Sequence, residues 1–357
     1  VETLNFGKTN DGHGWIGLRF QKHALAPPNN CIIHVQLLDK DAQWQQLLLG
    51  MLGVNLIHAC FSYNNPEKII LALADNLDQD RFQIDMFSIM GPDFEQIDNR
   101  LMSLLLVKNG LSQSAMFGPE GNVLQASEAL YKKNVLVLRG RFRPVTNVNV
   151  DMMLNGLKVI KEESEMETSH LLAITELTLH DLTLAGEIDE ADYLDRVDLL
   201  CALGQTVLIS NYREHYKLAS YLSNITQRMK LRMICGLGNL EDIFDESYYE
   251  NLKGGIIESF GQLFAHNIKI YVYPALIDGK VKSIEDFVPA PHLIDLFKYL
   301  ISNQRIVGMK DAKIRWLSIV SDEVLSLLKE GDPKWEEMVP RRVSQIIKEK
   351  QMFNVHK

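Results

Sequence analysis

The second half of the chain alternates short apolar runs with longer amphipathic segments. Continuous Val/Ile/Leu runs are typical of strands buried on both faces, whereas apolar residues at three- and four-residue intervals are typical of helices. The predicted strands are Val135–Leu138, Leu171–Ile174, Thr206–Ile209, Leu231–Cys235 and Ile268–Val272. The predicted helices are Val150–Lys161, Asp189–Ala202, Tyr212–Asn224 and Tyr248–Phe264. This alternation predicts an α/β fold with a parallel sheet covered by helices on both faces.

A smaller α/β pattern fills the first half of the chain after a polar beginning. Residues 1–30 are rich in Gly, Asn, Pro and His and are predicted to form an irregular arm. Strands, helices and one hairpin are then predicted at Cys31–Leu38, Ala42–Cys60, Lys68–Leu77, Phe82–Ile89, Asp98–Asn109, and Ser114–Phe117 paired with Asn122–Gln125. Polar residues at 127–133 precede a fresh strand. We therefore expect an arm at 1–30, a smaller α/β domain at 31–130 and a larger α/β domain at 131–357.

The smaller domain is expected to hold a hydrophobic core of its own. Trp44, Leu48, Leu52 and Leu56 recur every four residues in its first predicted helix, so they share one face of that helix. We expect this face to pack against the core formed by residues 31–127.

The composition is that of an ordinary globular protein. Of 357 residues, 46% are hydrophobic and 23% charged, which excludes wholesale disorder. The net charge of −9 offers no basic surface for nucleic acid or anionic lipid. No apolar run approaches the roughly 18 residues that span a bilayer, so no membrane partner is expected. The composition leaves the oligomeric state open.

The cysteines indicate a reducing compartment. Cys31, Cys60, Cys201 and Cys235 are far apart and form no CxxC pair. Such residues inside apolar segments are typical of small buried hydrophobes, and we expect a cytoplasmic protein. The chain begins at Val1 rather than Met, which leaves open a targeting segment before it.

The first strand-to-helix turn of the larger domain combines the features of an anion site. The strand is predicted to end at Gly140, and a helix is predicted to begin near Asn147 or Asn149. A helix N-terminus offers unpaired N–H groups and partial positive charge, and glycine lets a ligand approach the backbone closely. Three arginines lie within five residues at this turn: Arg139, Arg141 and Arg143. The alternative is an ordinary turn with solvated arginines and an asparagine that caps the helix.

Polar residues that follow later strands face the same crevice if the sheet is parallel. Asn211 and Arg213 come directly after the third predicted strand of the larger domain, which makes them candidate substrate contacts. The histidines are dispersed without the spacing of metal ligands, so no protein metal site is expected.

Residues 140–149 read Gly-Arg-Phe-Arg-Pro-Val-Thr-Asn-Val-Asn. This segment resembles the first motif of the nucleotidylyltransferase superfamily, G-x-F-x-P-x-(H/T)-x-G-H. The motif occurs in nicotinamide and nicotinate mononucleotide adenylyltransferases and in phosphopantetheine adenylyltransferase. Gly140, Phe142 and Pro144 match it, and Thr146 resembles the phosphopantetheine branch. Val148 replaces the family glycine, and the final histidine of the motif is replaced by Asn149.

The C-terminal segment resembles the same superfamily. Residues 319–325 align with I-S-S-T-x-I-R, the second ATP-phosphate motif, and residues 335–347 resemble the W-x-x-L-V-P-x-x-V-x-x-I-I ending of the mononucleotide adenylyltransferases. Ser321 is retained, Asp322 replaces Thr, and Leu325 stands where the family has Arg. The resemblance covers about residues 134–353 and implies a Rossmann-like nucleotidylyltransferase fold.

The resemblance implies adenylyl transfer to a pyridine mononucleotide, as in NAD biosynthesis, with Mg²⁺ accompanying ATP. In that reaction a phosphate oxygen of the acceptor attacks the α-phosphate of ATP and pyrophosphate leaves. The implied catalytic residues are Thr146 and Asn149. The implied nucleotide contacts are Gly140, Arg141, Phe142, Arg143, Pro144, Ser321 and Asp322.

The two departures from the motifs support a second hypothesis. Asn149 can donate a hydrogen bond to a phosphate oxygen but carries no charge, and Leu325 can do neither. Arg139, Arg141 or Arg143 would have to supply the missing charge. The alternative is therefore a catalytically degenerate nucleotide-binding, regulatory or scaffold module on the same fold.

Overall fold

The computed structural model describes residues 1–163, 170–184, 186–265 and 267–354. The chain divides into two compact units. The first contains residues 1–126 and 208–211, and the second contains residues 127–207 and 212–357. The chain passes from one to the other within the short helix α4 (Ala126–Ala129).

The first unit is built on an antiparallel sheet in the order β1-β2-β3. These strands span Gly12–Phe20, Asn29–Leu37 and Phe82–Met90. The helices are α1 (Ala42–Ser62), α2 (Pro66–Leu73) and α3 (Asn99–Lys108). A hairpin pairs β4 (Ser114–Phe117) with β5 (Val123–Leu124). Apolar residues of the sheet and the three helices form one continuous core.

Two details of this unit differ from expectation. The predicted arm contains strand β1, which pairs with β2 and turns alternate side chains, among them Ile16, Leu18 and Phe20, toward the core. Gly and His obscure that alternation in the sequence. The core-facing residues of α1 include Leu48, Leu52 and Leu56 as predicted, but Trp44 is 57% exposed. Gln45 is buried instead, because its amide donates to the carbonyl of Asp39 and accepts from the backbone N–H of Leu4.

The predicted parallel sheet has strands in the order β13-β10-β9-β6-β7-β8, and all of them except residues 208–210 of β8 belong to the second unit. The pairs β6–β7, β6–β9, β9–β10 and β10–β13 are parallel. The strands are β6 (Asn134–Arg139), β7 (Leu171–Thr178), β8 (Thr206–Ser210), β9 (Leu231–Gly236), β10 (Ile268–Tyr273) and β13 (Ile306–Gly308). Numbered along the chain, this is the doubly wound order 3-2-1-4-5-6 read from the opposite edge, which confirms the α/β class.

Helices connect these strands. They are α5 (Asn147–Glu162), α6 (Leu179–Thr183), α7 (Glu190–Ala202), α8 (His215–Ile225), α9 (Leu237–Ile243), α10 (Gly255–Leu263), α11 (Ile294–Ser302), α12 (Ser321–Glu330), α13 (Trp335–Met338) and α14 (Arg341–Lys350). A two-stranded ribbon, β11 (Ala275–Ile277) with β12 (Lys280–Lys282), follows β10. The helix predicted over Tyr248–Phe264 begins only at Gly255, because Gly255 has a left-handed φ of 51°.

Close packing of α5 on the sheet depends on one glycine. A Cβ placed on Gly156 would lie 2.4 Å from Cδ1 of Ile234 on β9 and 3.3 Å from Cδ2 of Leu136 on β6. The helix therefore lies directly against the two central strands. In the described part of the chain, no helix has the length and apolar character needed to cross a membrane.

Candidate functional site

The strand order of the larger sheet reverses between β6 and β9, and a cavity of about 480 Å³ opens beside their carboxyl ends. Open parallel sheets bind ligands at such a reversal, because the connections on its two sides leave the sheet toward opposite faces. The lining residues follow β6, β7, β8 and β9 or lie in and around α5 and α12: Arg139, Gly140, Arg141, Asn149, Met152, Thr178, His180, Asp181, Arg213, Glu214, His215, Gly236, Asn239, Asp242, Tyr248, Tyr249, Val320, Ser321 and Asp322.

Gly140 and Phe142 form a local packing unit at the start of the turn. Phe142 is buried and has a left-handed φ of 46°. A Cβ placed on Gly140 would lie 3.0 Å from Cζ of the Phe142 ring. A side chain on residue 140 would therefore crowd the Phe142 ring, whether or not a ligand approaches the loop. Phe142 lines a second, apolar cavity of about 220 Å³ and not the first, whereas Asn149 lines both.

Arg139 is fully engaged by the protein. Its Nε lies 2.6 Å from Oε2 of Glu176, and Nη2 lies 3.0 Å from Oε1 of the same carboxylate. Nη1 and Nη2 also donate to the backbone carbonyls of Arg213 and Tyr212, each at 2.7 Å. Arg139 therefore holds the segment after β8 in place and has little capacity left for a phosphate.

Arg143 and Pro144 lie away from the cavity. Arg143 Nε donates to Oδ1 of Asp192 on α7 at 2.5 Å. Asp192 also accepts from Arg196 Nε at 2.7 Å, so one buried carboxylate joins two arginines. Pro144 is buried and follows Arg143 through a cis peptide bond. Neither residue lines the cavity, and Arg143 is held by its ion pair with α7.

Arg141 lines the cavity and retains hydrogen-bonding capacity. Its Nη1 lies 2.8 Å from Oδ2 of Asp322, and both side chains are more than a third exposed. Its Nε is buried without a hydrogen-bond partner among the described residues. Arg139 and Arg141 both line the cavity, but Arg139 makes four side-chain hydrogen bonds to the described residues, whereas Arg141 makes one, to the exposed Asp322.

Thr146 and Asn149 form the capping box of α5. Thr146 is the N-cap, and its buried Oγ1 donates to Oδ1 of Asn149 at 2.9 Å. The same Oδ1 accepts from the Thr146 backbone N–H, also at 2.9 Å. Both hydrogen bonds of the Asn149 side chain are therefore accepted by Oδ1, and its Nδ2 amide has no partner among the described residues. Thr146 is therefore a helix cap, while Asn149 offers one donor to the cavity.

The predicted contacts of the second motif lie at the start of α12. Ser321 is the first residue of this helix and lines the cavity beside Asp322. Leu325, one turn later, is buried with 8% of its surface exposed. Because the residue at this position packs inward, α12 presents no cation to the cavity from there.

The two candidates after β8 have different surroundings. Arg213 lines the cavity, and its guanidinium lies 5.3 Å from the ring centroid of Tyr248. Asn211 is exposed and belongs to the first unit, where its backbone N–H donates to the carbonyl of Gln113 at 2.9 Å. Arg213 thus remains a candidate contact, whereas Asn211 lies outside the cavity lining.

Several residues of the cavity lining belong to no motif in the sequence. His215 begins α8, and burial together with the charge of Arg139 lowers the pKa of His215 to about 3, so it is neutral at neutral pH. His180 and Asp242 follow β7 and β9. Their signal in the sequence is position alone, shortly after a predicted strand. No group of three or more His, Cys, Asp or Glu side chains in the described ranges is arranged to hold a metal ion.

Comparison with known proteins yields distant structural likenesses. No model of a known protein family matches the chain, and no curated protein sequence matches it. A Plasmodium falciparum nicotinic acid mononucleotide adenylyltransferase, complexed with APC, aligns over 61% of this chain and 96% of its own, with 12% identity and a TM-score of 0.35. A Vibrio parahaemolyticus protein described as a nicotinate-nucleotide adenylyltransferase aligns over 61% and 93%, with 14% identity and a TM-score of 0.29. Likenesses this remote carry no argument about activity.

Proposed function

We propose that the cavity beside β6 and β9 binds a nucleotide whose phosphates lie against Arg141, Asn149 and Arg213. What supports this proposal is that all three donors line one cavity, which includes residues of the first turns of α5 and lies where the strand order reverses. Helix N-termini favour anions, and arginine pairs with phosphate through two parallel hydrogen bonds. A mixed polar and apolar lining suits a nucleotide, which carries both a base and charged phosphates.

The charges of the two arginines are available to a ligand. Arg213 has no carboxylate partner among the described residues, and its guanidinium lies over an aromatic ring. Arg141 pairs with Asp322, but both side chains are well exposed. Exposed pairs contribute only about 0–1 kcal/mol, so a phosphate can compete with Asp322 for Arg141. A phosphate in this cavity would therefore meet two cations at little energetic cost to the protein.

Calorimetric titration with ATP, AMP and NAD tests the proposal. Replacing Arg213 by Met is expected to weaken ATP binding by roughly 10- to 100-fold, because one charge-assisted contact is lost. Arg342→Met is the matched control, since Arg342 is an exposed arginine on α14 outside the cavity lining. Equal affinities of the two variants, or no nucleotide binding by the unaltered chain, would contradict the proposal.

Adenylyl transfer to a pyridine mononucleotide is the second candidate function. It is favoured by the free amide of Asn149, which occupies the position of the motif histidine, and disfavoured by the inward packing of Leu325. Mg²⁺ bound to ATP would neutralise part of the phosphate charge in this reaction. Incubation with ATP and nicotinate or nicotinamide mononucleotide distinguishes the two candidates. Release of pyrophosphate with dinucleotide supports the enzyme, whereas binding without turnover supports a nucleotide-binding module.

The proposal also includes a reducing, cytoplasmic site of action. All four cysteines have free thiols, and Cys31, Cys60 and Cys235 are buried. Burial raises the pKa of the Cys235 thiol to about 12, which keeps it protonated and unreactive. Labelling of the purified protein under denaturing conditions, with and without prior reduction, tests whether all four thiols are free.

A further inference from the structure

Helix α1 of the first unit has a largely exposed apolar face, although Arg81 lies over the Trp44 ring and Phe20 lies beside Phe61. The helix spans Ala42–Ser62 and contains no Asp, Glu, Lys or Arg. Leu48, Leu52 and Leu56 on one face are buried in the core. The opposite face, here called the α1 stripe, is exposed and consists of Trp44, Leu47, Met51, Val54, His58 and Phe61. Large exposed apolar patches on globular proteins mark interaction surfaces.

The spacing of the α1 stripe is that of a coiled-coil seam. Its six residues are separated by intervals of 3, 4, 3, 4 and 3 along the chain. These are the a and d positions of a heptad, whose side chains insert between those of a second helix. Two glycines flank the centre of the stripe, Gly50 and Gly53, and a Cβ added to either would meet no atom within 4 Å. The centre of the helix therefore leaves room for close approach by another helix.

We propose that the α1 stripe is the interface of a homodimer, in which α1 of a second copy packs antiparallel against it. A twofold axis between Leu52 and Gly53 would place Trp44 of each copy opposite Phe61 of the other. The same axis would place Met51 opposite Val54. A dimer with twofold symmetry requires such a self-complementary surface, and antiparallel coiled coils form layers that combine one a and one d residue.

The size and charge of the surface favour a second copy. An aromatic side chain buries roughly 150–250 Å² when it is covered completely, and those of the stripe are about half exposed. Twelve stripe residues in two copies therefore bury on the order of 1,000 Å², which is the size that a specific interface needs. A charged partner could form no ion pair with α1, because the helix contains no Asp, Glu, Lys or Arg. Helices that lie on membranes carry Lys and Arg beside their apolar face, and α1 has neither.

The mass of the full chain in solution tests the proposal. Sedimentation equilibrium from nanomolar to high-micromolar protein is expected to show a monomer–dimer equilibrium. Val54→Glu is expected to raise the dimer dissociation constant by about 100-fold or more, because two carboxylates would be buried near the axis without a cation. Leu47→Glu, farther from the axis, is expected to act in the same direction. Both residues are exposed in the monomer, so both variants are expected to keep the thermal stability of the monomer.

Ile257→Glu provides the matched control. Ile257 is a 63% exposed apolar residue on α10, outside the α1 stripe, so this variant is expected to keep the unaltered dissociation constant. A monomer at all concentrations would overturn the proposal, as would a dimer insensitive to both α1 variants. Co-sedimentation of a monomeric protein with phosphatidylcholine vesicles, lost in Val54→Glu, would also overturn it in favour of a lipid surface.

Discussion

Arg139 and Glu176 are register partners on the neighbouring strands β6 and β7, and their side chains form an ion pair with an Nε–Oε2 distance of 2.6 Å. The Glu176 side chain is fully buried, and that of Arg139 is 12% exposed. Arg139 extends this pair to the carbonyls of Tyr212 and Arg213. The pair thereby connects the ends of three strands and positions Arg213 beside the cavity.

Removal of Arg139 is expected to destabilise the protein strongly. Arg139→Met leaves the Glu176 carboxylate buried without its cation, which costs about 3–5 kcal/mol. The double variant Arg139→Met/Glu176→Met is expected to lose less free energy of unfolding than Arg139→Met alone, because no uncompensated charge remains. Denaturant unfolding of both variants measures this. If the double variant lost as much free energy of unfolding as the two single variants added together, Arg139 and Glu176 would not be energetically coupled.

The contact beneath α5 predicts opposite effects of alanine at two helical glycines. Gly156→Ala is expected to destabilise by about 1–3 kcal/mol, since the new methyl group overlaps Ile234 on β9. Gly261→Ala on α10 is the control, because a Cβ there meets no atom within 4 Å. It is expected to stabilise by about 0.5–1 kcal/mol through helix propensity. The midpoint of thermal unfolding is expected to fall in Gly156→Ala and to rise in Gly261→Ala. Equal shifts in the two variants would contradict the close packing of α5 on the sheet.

The two roles of Asn149 are separable by a conservative change. Asn149→Asp keeps the oxygen that accepts from Thr146 and adds a negative charge at the helix N-terminus, so stability is expected to be maintained. Nucleotide affinity is expected to fall, because a carboxylate replaces the free amide donor facing the phosphates. Calorimetry and thermal unfolding measure the two effects separately.

Thr146→Val is the complementary control for the cap. It removes the Oγ1 hydrogen bond and is expected to cost about 1 kcal/mol of stability. Nucleotide affinity of the folded Thr146→Val variant is expected to remain. Loss of nucleotide affinity in Thr146→Val, together with full affinity in Asn149→Asp, would show that Thr146 contacts the nucleotide and that Asn149 does not.

His215 predicts a specific loss of stability in acid. The pKa of His215 in the folded protein is about 3, below its ordinary value of 6.5, so the unfolded chain takes up the proton first as the pH falls. The contribution of His215 to the free energy of unfolding is therefore complete above pH 6.5 and decreases as the pH falls from 6.5 toward 3. His215→Gln is expected to lose less thermal stability than the unaltered protein between neutral pH and about pH 5.

His23→Gln is the control for this measurement. His23 is exposed, and its replacement is expected to leave the acid dependence unchanged. Identical acid dependence of His215→Gln and the unaltered protein would show that His215 takes up its proton equally in the folded state.

The sequence predicted the order of elements well, because periodicity reports the face that each segment buries. The first strand of the second unit is predicted to end at Gly140 and a helix to begin near Asn147 or Asn149; the strand ends at Arg139 and the helix begins at Asn147. Asp189 was expected at the start of a helix, and it is the N-cap of α7. The same reasoning was wrong at Trp44, because an apolar helix without charges gives no signal for which face is buried.

The local sequence specifies three arginines around one strand-to-helix turn, but the role of each arginine follows from the segments that pack beside it. Arg139 pairs with a residue 37 positions away, Arg143 with one 49 positions away, and Arg141 with one 181 positions away. Strand register and helix contacts bring these carboxylates to the turn, and neither is encoded in the local pattern. Local periodicity selects the element and its buried face, whereas the partner of a long polar side chain depends on which distant segment packs beside it.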